Sequence, residues 1–214
     1  MGSACRARRV RMRIAIVGAG NIGGTLGAKW AAAGHSIVFG ARDPESPKAR
    51  GALGAAGAGA RLATIATALA DAEVVLLSLP GAAVAPFAEE HGAALAGKLV
   101  IDATNQFGRP VINGIAPLQA AAPTATVARA FNSLGWENFA DPLVGGVQGD
   151  LFYCAPEGEA SARVEELIAA VGLRPVRVGD LDQAPLVDNL GALWVALAFG
   201  QGRGRRLAFK VLTP

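Results

Sequence analysis

The sequence predicts a doubly wound α/β fold, in which helices cover both faces of a mostly parallel sheet. Short apolar runs alternate along the chain with longer Ala-rich stretches, which is the order expected of consecutive βαβ units. The runs at residues 74–77 and 99–101 lack polar alternation, as expected of strands buried on both faces. A hydrophobic content of 52% in 214 residues allows a sizeable core.

The individual elements follow from where β-branched residues cluster and where Ala and Leu dominate. Strands are predicted at residues 13–17, 36–40, 73–79, 99–102, 126–131, 151–154 and 175–178. Helices are predicted at residues 21–33, 64–70, 82–95, 161–171 and 183–199. Residues 51–60 are nearly all Gly and Ala, and they predict only a poorly specified helix or loop.

A G-x-G-x-x-G motif lies directly between the first predicted strand and the first predicted helix. In this position Gly18 would form a tight turn, Gly20 would admit a pyrophosphate to the backbone N–H groups, and Gly23 would let the helix pack closely. The positive end of the helix would face the phosphates. The motif therefore predicts a Rossmann-type dinucleotide site.

The end of the second predicted strand indicates which dinucleotide is bound. NAD sites usually carry Asp or Glu there to hold the ribose 2′-hydroxyl, whereas this chain has Ala41 and Arg42. A guanidinium at this position could bind a 2′-phosphate, so NADP is the predicted cofactor. The alternative is that Arg42 is a solvated loop charge and that Asp43 only begins a turn before Pro44.

Ligands of such sheets bind beyond the carboxyl ends of the strands. The predicted cofactor contacts are accordingly Gly18, Ala19, Gly20, Asn21, Ile22, Gly23, Ala41, Arg42, Leu79, Pro80 and Ala130. Asn105 and Asn132 also follow predicted strands and could orient a carboxamide or a ring carbonyl. For either asparagine alone, a local Asx turn is an equally good interpretation.

General acid–base catalysis needs a titratable group at the site, and the chain offers few candidates. His35 precedes a strand, His91 ends a helix beside two glutamates, and Tyr153 lacks the Lys partner of short-chain dehydrogenases. Metal-ligand spacings are absent from the sequence. We therefore predict no catalytic acid or base and no metal, and a hydride transfer to a ring that delocalises the charge.

The charge distribution argues against a nucleic-acid partner. Five of the 20 basic residues are arginines within residues 1–13. The rest of the chain carries 15 basic and 17 acidic side chains and is close to neutral. No apolar run reaches the roughly 18 residues of a membrane span, and no signal sequence is evident. Cys5 and Cys154 show no disulfide pattern, so we expect a soluble, cytoplasmic protein with a small-molecule substrate.

Motifs along residues 12–212 resemble those of the NADP oxidoreductases that depend on coenzyme F420, a deazaflavin. The resemblance rests on residues 16–23, 40–42, 79–80, 131–134, 172–175 and 186–190. It implies hydride transfer between NADPH and F420 or a related flavin-like acceptor, with Arg42 on the 2′-phosphate. It further implies a second-substrate pocket at Asn105, Asn132, Ser133 and Leu134, and a homodimer.

We expect three parts: a disordered basic arm at residues 1–11, a dinucleotide-binding domain at 12–150, and a small C-terminal α/β part at 151–214. The C-terminal part would complete the second-substrate pocket, and its last helix would be buried in the core or in the homodimer. A 3-hydroxy acid dehydrogenase would need a longer helical domain than these 64 residues provide. A non-catalytic NADP-binding module, or a reductase of another small acceptor, remains the alternative.

Overall fold

The computed structural model describes residues 11–214. The strands are β1 (Arg13–Val17), β2 (Ser36–Ala41), β3 (Ala60–Thr64), β4 (Val74–Leu77), β5 (Leu99–Asp102), β6 (Thr126–Arg129), β7 (Leu143–Val144), β8 (Val147–Gln148), β9 (Asp150–Cys154) and β10 (Arg174–Gly179). The helices are α1 (Asn21–Ala32), α2 (Pro47–Ala56), α3 (Ile65–Ala70), α4 (Val84–His91), α5 (Ile115–Ala121), α6 (Trp136–Ala140), α7 (Glu159–Val171) and α8 (Ala184–Val195). Except for Arg11, the predicted basic arm lies outside the described residues.

One eight-stranded sheet runs through the molecule in the order β10-β9-β6-β5-β4-β1-β2-β3. Strands β1 to β6 are parallel, β9 is antiparallel to β6, and β10 is parallel to β9. Strands β7 and β8 form a separate two-stranded hairpin. The predicted doubly wound α/β fold is confirmed.

The core lies in two layers, one on each face of the sheet. In β1, Ile14 and Ile16 face the layer that contains α1 and α7, while Ala15 and Val17 face the layer of α3, α4 and α5. This alternation follows from the two-residue period of a strand. Since both faces are covered, all four of these residues are apolar and almost fully buried.

Strand register brings the carboxyl ends of the central strands to one edge of the sheet. Val17 pairs with Leu77, Leu77 with Asp102, and Asp102 with Arg129. The connections that follow these residues therefore lie side by side along this edge. It is the edge at which the sequence places the dinucleotide site.

Several sequence-based boundaries need correction. The predicted strands at 73–79 and 126–131 are shorter, at Val74–Leu77 and Thr126–Arg129. The predicted helix at 82–95 is α4 flanked by two 3₁₀ turns, and the one at 183–199 is α8 followed by a π turn at Ala196–Gly200. The Gly/Ala-rich residues 51–60 complete α2 and lead into the edge strand β3, which the sequence analysis missed.

The C-terminal strands extend the same sheet, and the segment after α8 returns to them. The buried carboxylate of Asp150 accepts hydrogen bonds from Arg174 (Nε, 2.7 Å), from Lys210 (2.9 Å) and from the backbone N–H of Val211 (2.7 Å). Burial opposes ionisation, but these hydrogen bonds and the nearby positive charges lower the pKa of Asp150 to about 2. Asp150 thus links the segment that contains Lys210 and Val211 to β9. The division of the chain at residues 150 and 151 remains a prediction.

Candidate dinucleotide site

The connection between β1 and α1 is a tight turn that requires glycine. Gly18 has a φ of 108°, and a Cβ atom there would lie 2.5 Å from the backbone oxygen of Ser78. A Cβ atom on Gly23 would lie 2.1 Å from the Gly18 oxygen. Ser78, at the end of β4, also donates a hydrogen bond of 2.7 Å from its hydroxyl to that oxygen. The turn therefore packs directly on the end of the neighbouring strand.

Gly20 differs from the other two motif glycines because the protein itself does not forbid a side chain there. Its φ is −80°, and a Cβ atom would meet nothing closer than the Lys48 ammonium nitrogen at 3.5 Å. Gly20 is the N-cap of α1, no side chain caps this helix, and its first turn contains no acidic residue. The backbone N–H groups of that turn are thus available to an anion.

Lys48 of α2 lies beside this helix end, and Arg42 follows β2 at the same edge of the sheet. Arg42 and Lys48 are exposed, and neither takes part in an ion pair within residues 11–214. Arg50, two residues further along α2, is instead paired with Glu45. Asp43 begins a turn, since its carboxylate accepts the Glu45 N–H at 2.9 Å. Arg42 and Lys48 are thus cations without an ion-pair partner in the described part of the chain, and the neighbouring Asp43 carboxylate is engaged in its own turn.

A groove of about 500 Å³ begins at the glycine turn and runs along α1. Its walls are mostly small side chains from α1 and α2, and Trp136 and Ala140 of α6 close the other side. Lys29 and Lys48 are its charged lining residues. Asn105, Asn132, Ser133 and Leu134, the predicted second-substrate residues, do not line it.

A buried ionic cluster lies at the carboxyl ends of β5 and β6. The Arg129 side chain is fully buried and donates to Asp188 of α8 from Nε (2.8 Å), while its Nη1 lies 3.2 Å from Asp102. The guanidinium also donates to the backbone oxygen of Thr104 (2.6 Å) and to Oδ1 of Asn105 (2.9 Å). All three of its nitrogens are therefore hydrogen-bonded, as a buried charge requires.

The cluster extends to the two asparagines predicted from the sequence. Asn105 Nδ2 donates to the backbone oxygen of Asn132 at 2.8 Å, and Asn132 Nδ2 approaches Asp188 at 3.4 Å. The structure therefore brings Asn105 and Asn132 together. It also leaves the buried Asn132 Oδ1 and Ser133 Oγ without hydrogen-bond partners.

The backbone leaves β6 through an unusual conformation at Phe131. Its φ is 62°, which makes it the one non-glycine residue with positive φ among residues 11–214. The ring packs edge-on against Trp30 at 5.5 Å and Phe139 at 5.8 Å between centroids. This packing holds the strained turn that directs Asn132 and Ser133 back over the sheet edge.

Other predicted site residues differ in exposure. Asn132, Ser133 and Leu134 are buried, and Leu134 packs into the main core. Ala130 is fully buried, whereas Ala41, Leu79 and Asn105 are partly exposed and Pro80 is exposed. Of the predicted second-substrate pocket, Asn105 is therefore the residue that reaches the surface.

His35, His91 and Tyr153 lie away from the glycine turn or form contacts elsewhere. His35 lies at the amino end of β2, where its Nδ1 accepts the Met12 N–H at 3.2 Å. His91 packs against Phe87 at the end of α4. The Tyr153 hydroxyl donates to Glu165 at 2.6 Å, and burial together with this carboxylate raises the tyrosine pKa. Residues 11–214 contain no cluster of three or more metal-ligating side chains.

Sequence reasoning missed Lys48, Ser78 and the Arg129–Asp188 pair. Lys48 follows Arg42 by six residues, but its position depends on α2, which the sequence specified poorly. A charged residue at the end of an apolar strand, as at Asp102 and Arg129, is the signal that could have indicated a buried pair.

Comparison with known proteins identifies the family of the N-terminal part. Residues 13–106 match the model of a family described as coenzyme F420-dependent NADP oxidoreductases. A solved structure of a candidate F420-dependent NADP reductase from Arthrobacter sp. FB24 superposes with a TM-score of 0.81 and 26% identity, over 94% of this chain and 100% of that one. The match over residues 13–106, together with this superposition, confirms the resemblance to this family.

Other relatives are longer than this chain. A glycerol-3-phosphate dehydrogenase [NAD(P)⁺] from Paracoccus denitrificans is 31% identical over 212 residues, which are 94% of this chain and 65% of the dehydrogenase. A metalloreductase, STEAP3, from Rattus norvegicus is 26% identical over 88% of this chain and 38% of its own length. The chain spans about two fifths to just under two thirds of these two proteins. In residues 11–214, no helix is long and apolar enough to cross a membrane.

Proposed function

We propose that this protein is an oxidoreductase that transfers hydride between NADP(H) and coenzyme F420 or a related flavin-like acceptor. The observation that carries the proposal is the pair of unpaired cations, Arg42 and Lys48, beside a glycine turn at an uncapped helix end. The family match of residues 13–106 and relatives among NAD(P)-dependent oxidoreductases support it.

The residues present fit a dinucleotide with a 2′-phosphate. Gly20 leaves space where a Cβ would otherwise stand, so a pyrophosphate can approach the N–H groups of α1. Arg42 can bind the 2′-phosphate through two N–H groups, while Lys48 supplies a second charge within reach of the same helix end. Asp43 is engaged in its own turn and is a poor partner for a ribose hydroxyl.

The bound nicotinamide would donate or accept the hydride, and the protein would hold the two reacting rings in position. His35, His91 and Tyr153 are engaged elsewhere, and Asp102 and Asp188 are paired with Arg129, so we assign no protein acid or base to the transfer. A flavin-like ring accepts hydride without needing a proton donor for an alkoxide. Asn105, at the surface of the β5 end, and Asn132, Ser133 and Leu134 beneath it would then shape the second-substrate pocket by orienting the two rings.

We further propose that the protein acts as a homodimer that associates through α8. Leu186 and Leu193 are about half exposed on one face of this helix, and Phe199 is exposed just beyond it. The one charged residue between Leu186 and Phe199 is Asp188, which is buried in the Arg129 cluster. An exposed helix face without charge fits association with a second copy.

The acceptor is tested by mixing the NADPH complex anaerobically with F420, FMN, a soluble quinone or a ferric chelate and following NADPH absorbance. We expect rapid oxidation by F420 or FMN and slow oxidation by the other two. Oxidation by the ferric chelate alone would favour a metal reductase, as the STEAP3 relative would suggest. Tight NADPH binding with no oxidation by any acceptor would favour a non-catalytic binding module.

A further inference from the structure

Chemistry fixes the orientation of the Asn132 side-chain amide. The Nδ2 group faces Oδ1 of Asp188 at 3.4 Å; this carboxylate oxygen also accepts a hydrogen bond from Arg129 Nε and lies 2.7 Å from its Nη2. An ionised carboxylate accepts hydrogen bonds and cannot donate them, so an amide oxygen turned toward it would be repelled. The Asn132 carbonyl oxygen must therefore point away from the cluster.

This carbonyl oxygen has no hydrogen-bond donor in the described part of the chain. Asn132 is only 4% exposed, so solvent does not replace the missing donor. The side chain of Asn105 cannot supply this donor. Its Nδ2 donates to the backbone oxygen of Asn132, and its Oδ1 accepts a hydrogen bond from Arg129. Buried polar atoms in folded proteins nearly always have a hydrogen-bond partner, so an acceptor without one, at the sheet edge where we propose that the cofactor binds, can obtain its donor from the ligand.

The position of Asn132 along the sheet edge suggests which part of the ligand supplies that donor. Arg42 follows β2 and Asn132 follows β6, and four strand spacings, or about 19 Å, separate the two strands on opposite sides of the glycine turn. With Arg42 on the 2′-phosphate of the adenosine half, the β6 end corresponds to the nicotinamide half. The nicotinamide carries a primary carboxamide, whose NH₂ group is a hydrogen-bond donor.

We infer that Asn132 Oδ1 accepts a hydrogen bond from the carboxamide NH₂ of the nicotinamide and so selects this ring. The inference rests on the proposed NADP(H) function and assigns Asn132 to the cofactor rather than to the acceptor. The strained turn at Phe131 and the Arg129–Asp188 pair position the oxygen before the cofactor binds. Cofactor binding would then supply the hydrogen-bond donor that Asn132 Oδ1 lacks in the folded protein.

The test compares the Kd of NADP⁺ with that of its 3-acetylpyridine analogue, in which a methyl group replaces the NH₂, without any acceptor present. For the unmodified protein we expect the analogue to bind about tenfold more weakly, the usual effect of an unmet buried acceptor. For Asn132→Ala the two ligands should bind equally. Asn138→Ala is the matched control, since Asn138 is buried on α6 and also has an unpartnered Oδ1. This control should retain the tenfold preference.

Equal binding of both ligands to the unmodified protein would overturn the inference, even if Asn132→Ala failed to fold. A preference that survives in a folded Asn132→Ala protein would also overturn it. A further result would also contradict our proposal: NADP⁺ and its analogue bind equally to the unmodified protein, and Asn132→Ala weakens binding of the acceptor. Asn132 Oδ1 would then accept a hydrogen bond from an N–H of the acceptor ring. Failure of the unmodified protein to bind NADP⁺ at all would refute the proposed function and the inference with it.

Discussion

Arg129 and Asp188, 59 residues apart in the chain, form a buried ion pair in which Nε donates to a carboxylate oxygen at 2.8 Å and Nη2 lies 2.7 Å from the same oxygen. The pair joins the end of β6 to α8. Because the Asp188 carboxylate also faces the side-chain amides of Asn113 and Asn132, a residue of α8 orients side chains at the edge where we propose that the cofactor binds. Four predictions follow from this and the other contacts of the site.

Replacing Arg42 should weaken NADPH binding selectively. Arg42→Ala should raise the Kd of NADPH about tenfold or more and leave that of NADH unchanged, because it loses a charge-assisted contact with the 2′-phosphate. Fluorescence titration of both cofactors measures this. Arg50→Ala, which removes a cation already paired with Glu45, should change neither Kd. Equal losses for NADPH and NADH would show that the 2′-phosphate lies elsewhere.

Gly20→Val should abolish binding of both cofactors while the protein stays folded. A side chain at Gly20 has room in the protein, with its nearest neighbour at 3.5 Å, but it would occupy the space of the pyrophosphate. Thermal melting and titration of the same sample separate the two effects. Gly54→Ala is the control, because its Cβ would meet nothing within 4 Å and should leave binding intact. NADPH binding by folded Gly20→Val would refute the assigned pyrophosphate position.

Arg129→Met should destabilise the fold strongly. It leaves Asp102 and Asp188 buried without a cation, and breaking such a pair typically costs about 3–5 kcal/mol. Urea unfolding gives the free energy directly. Arg163→Ala, which breaks the exposed ion pair with Glu159, should cost less than about 1 kcal/mol. A similarly small loss for Arg129→Met would mean that the buried carboxylates have another source of stabilisation.

Acid should weaken the attachment of the C-terminal segment. The folded pKa of Asp150 is about 2, below the value of 3.8 for a free carboxyl group, so its contribution is complete above pH 4 and is lost as the pH falls through 2. This contribution is about 2 kcal/mol. Asp150→Asn should lose it already at pH 7 and show less further loss between pH 4 and 2 in urea unfolding. Asp182→Asn, at an exposed position, should keep the acid sensitivity of the unmodified protein.

Local patterns in the sequence were sufficient to predict the central strands of the sheet. Strands β1 and β5 have the predicted bounds, because their apolar runs end at Gly18 and at a loop of polar residues. The glycine turn was predictable since strand, glycines and helix are consecutive in the chain. Strand β3 was missed because it is an edge strand that contains Arg61 and is preceded by Gly and Ala without a periodic pattern.

The rest of the site depends on contacts that no local pattern encodes. The orientation of Asn132 follows from Asp188, which lies 56 residues away in the chain. The positive φ of Phe131 is stabilised by Trp30 and Phe139, and an aromatic residue gives no sequence signal for that conformation. Lys48 reaches the glycine turn because α2 packs against α1 through Gly24 and Ala52, two small residues from different helices.

The Arg129–Asp188 pair also limits how this protein can be divided or recombined. A gene fragment that ends after residue 150 would retain the glycine turn, Arg42, Lys48 and the Arg129–Asp102 pair. It would lack Asp188, the carboxylate that accepts a hydrogen bond from Arg129 Nε and faces the Asn132 amide. We therefore expect that the N-terminal part, which holds the proposed nucleotide site, does not keep its native structure on its own. A chimaera that exchanges the C-terminal part would need an acidic residue at the position of Asp188, whatever substrate the new part recognises.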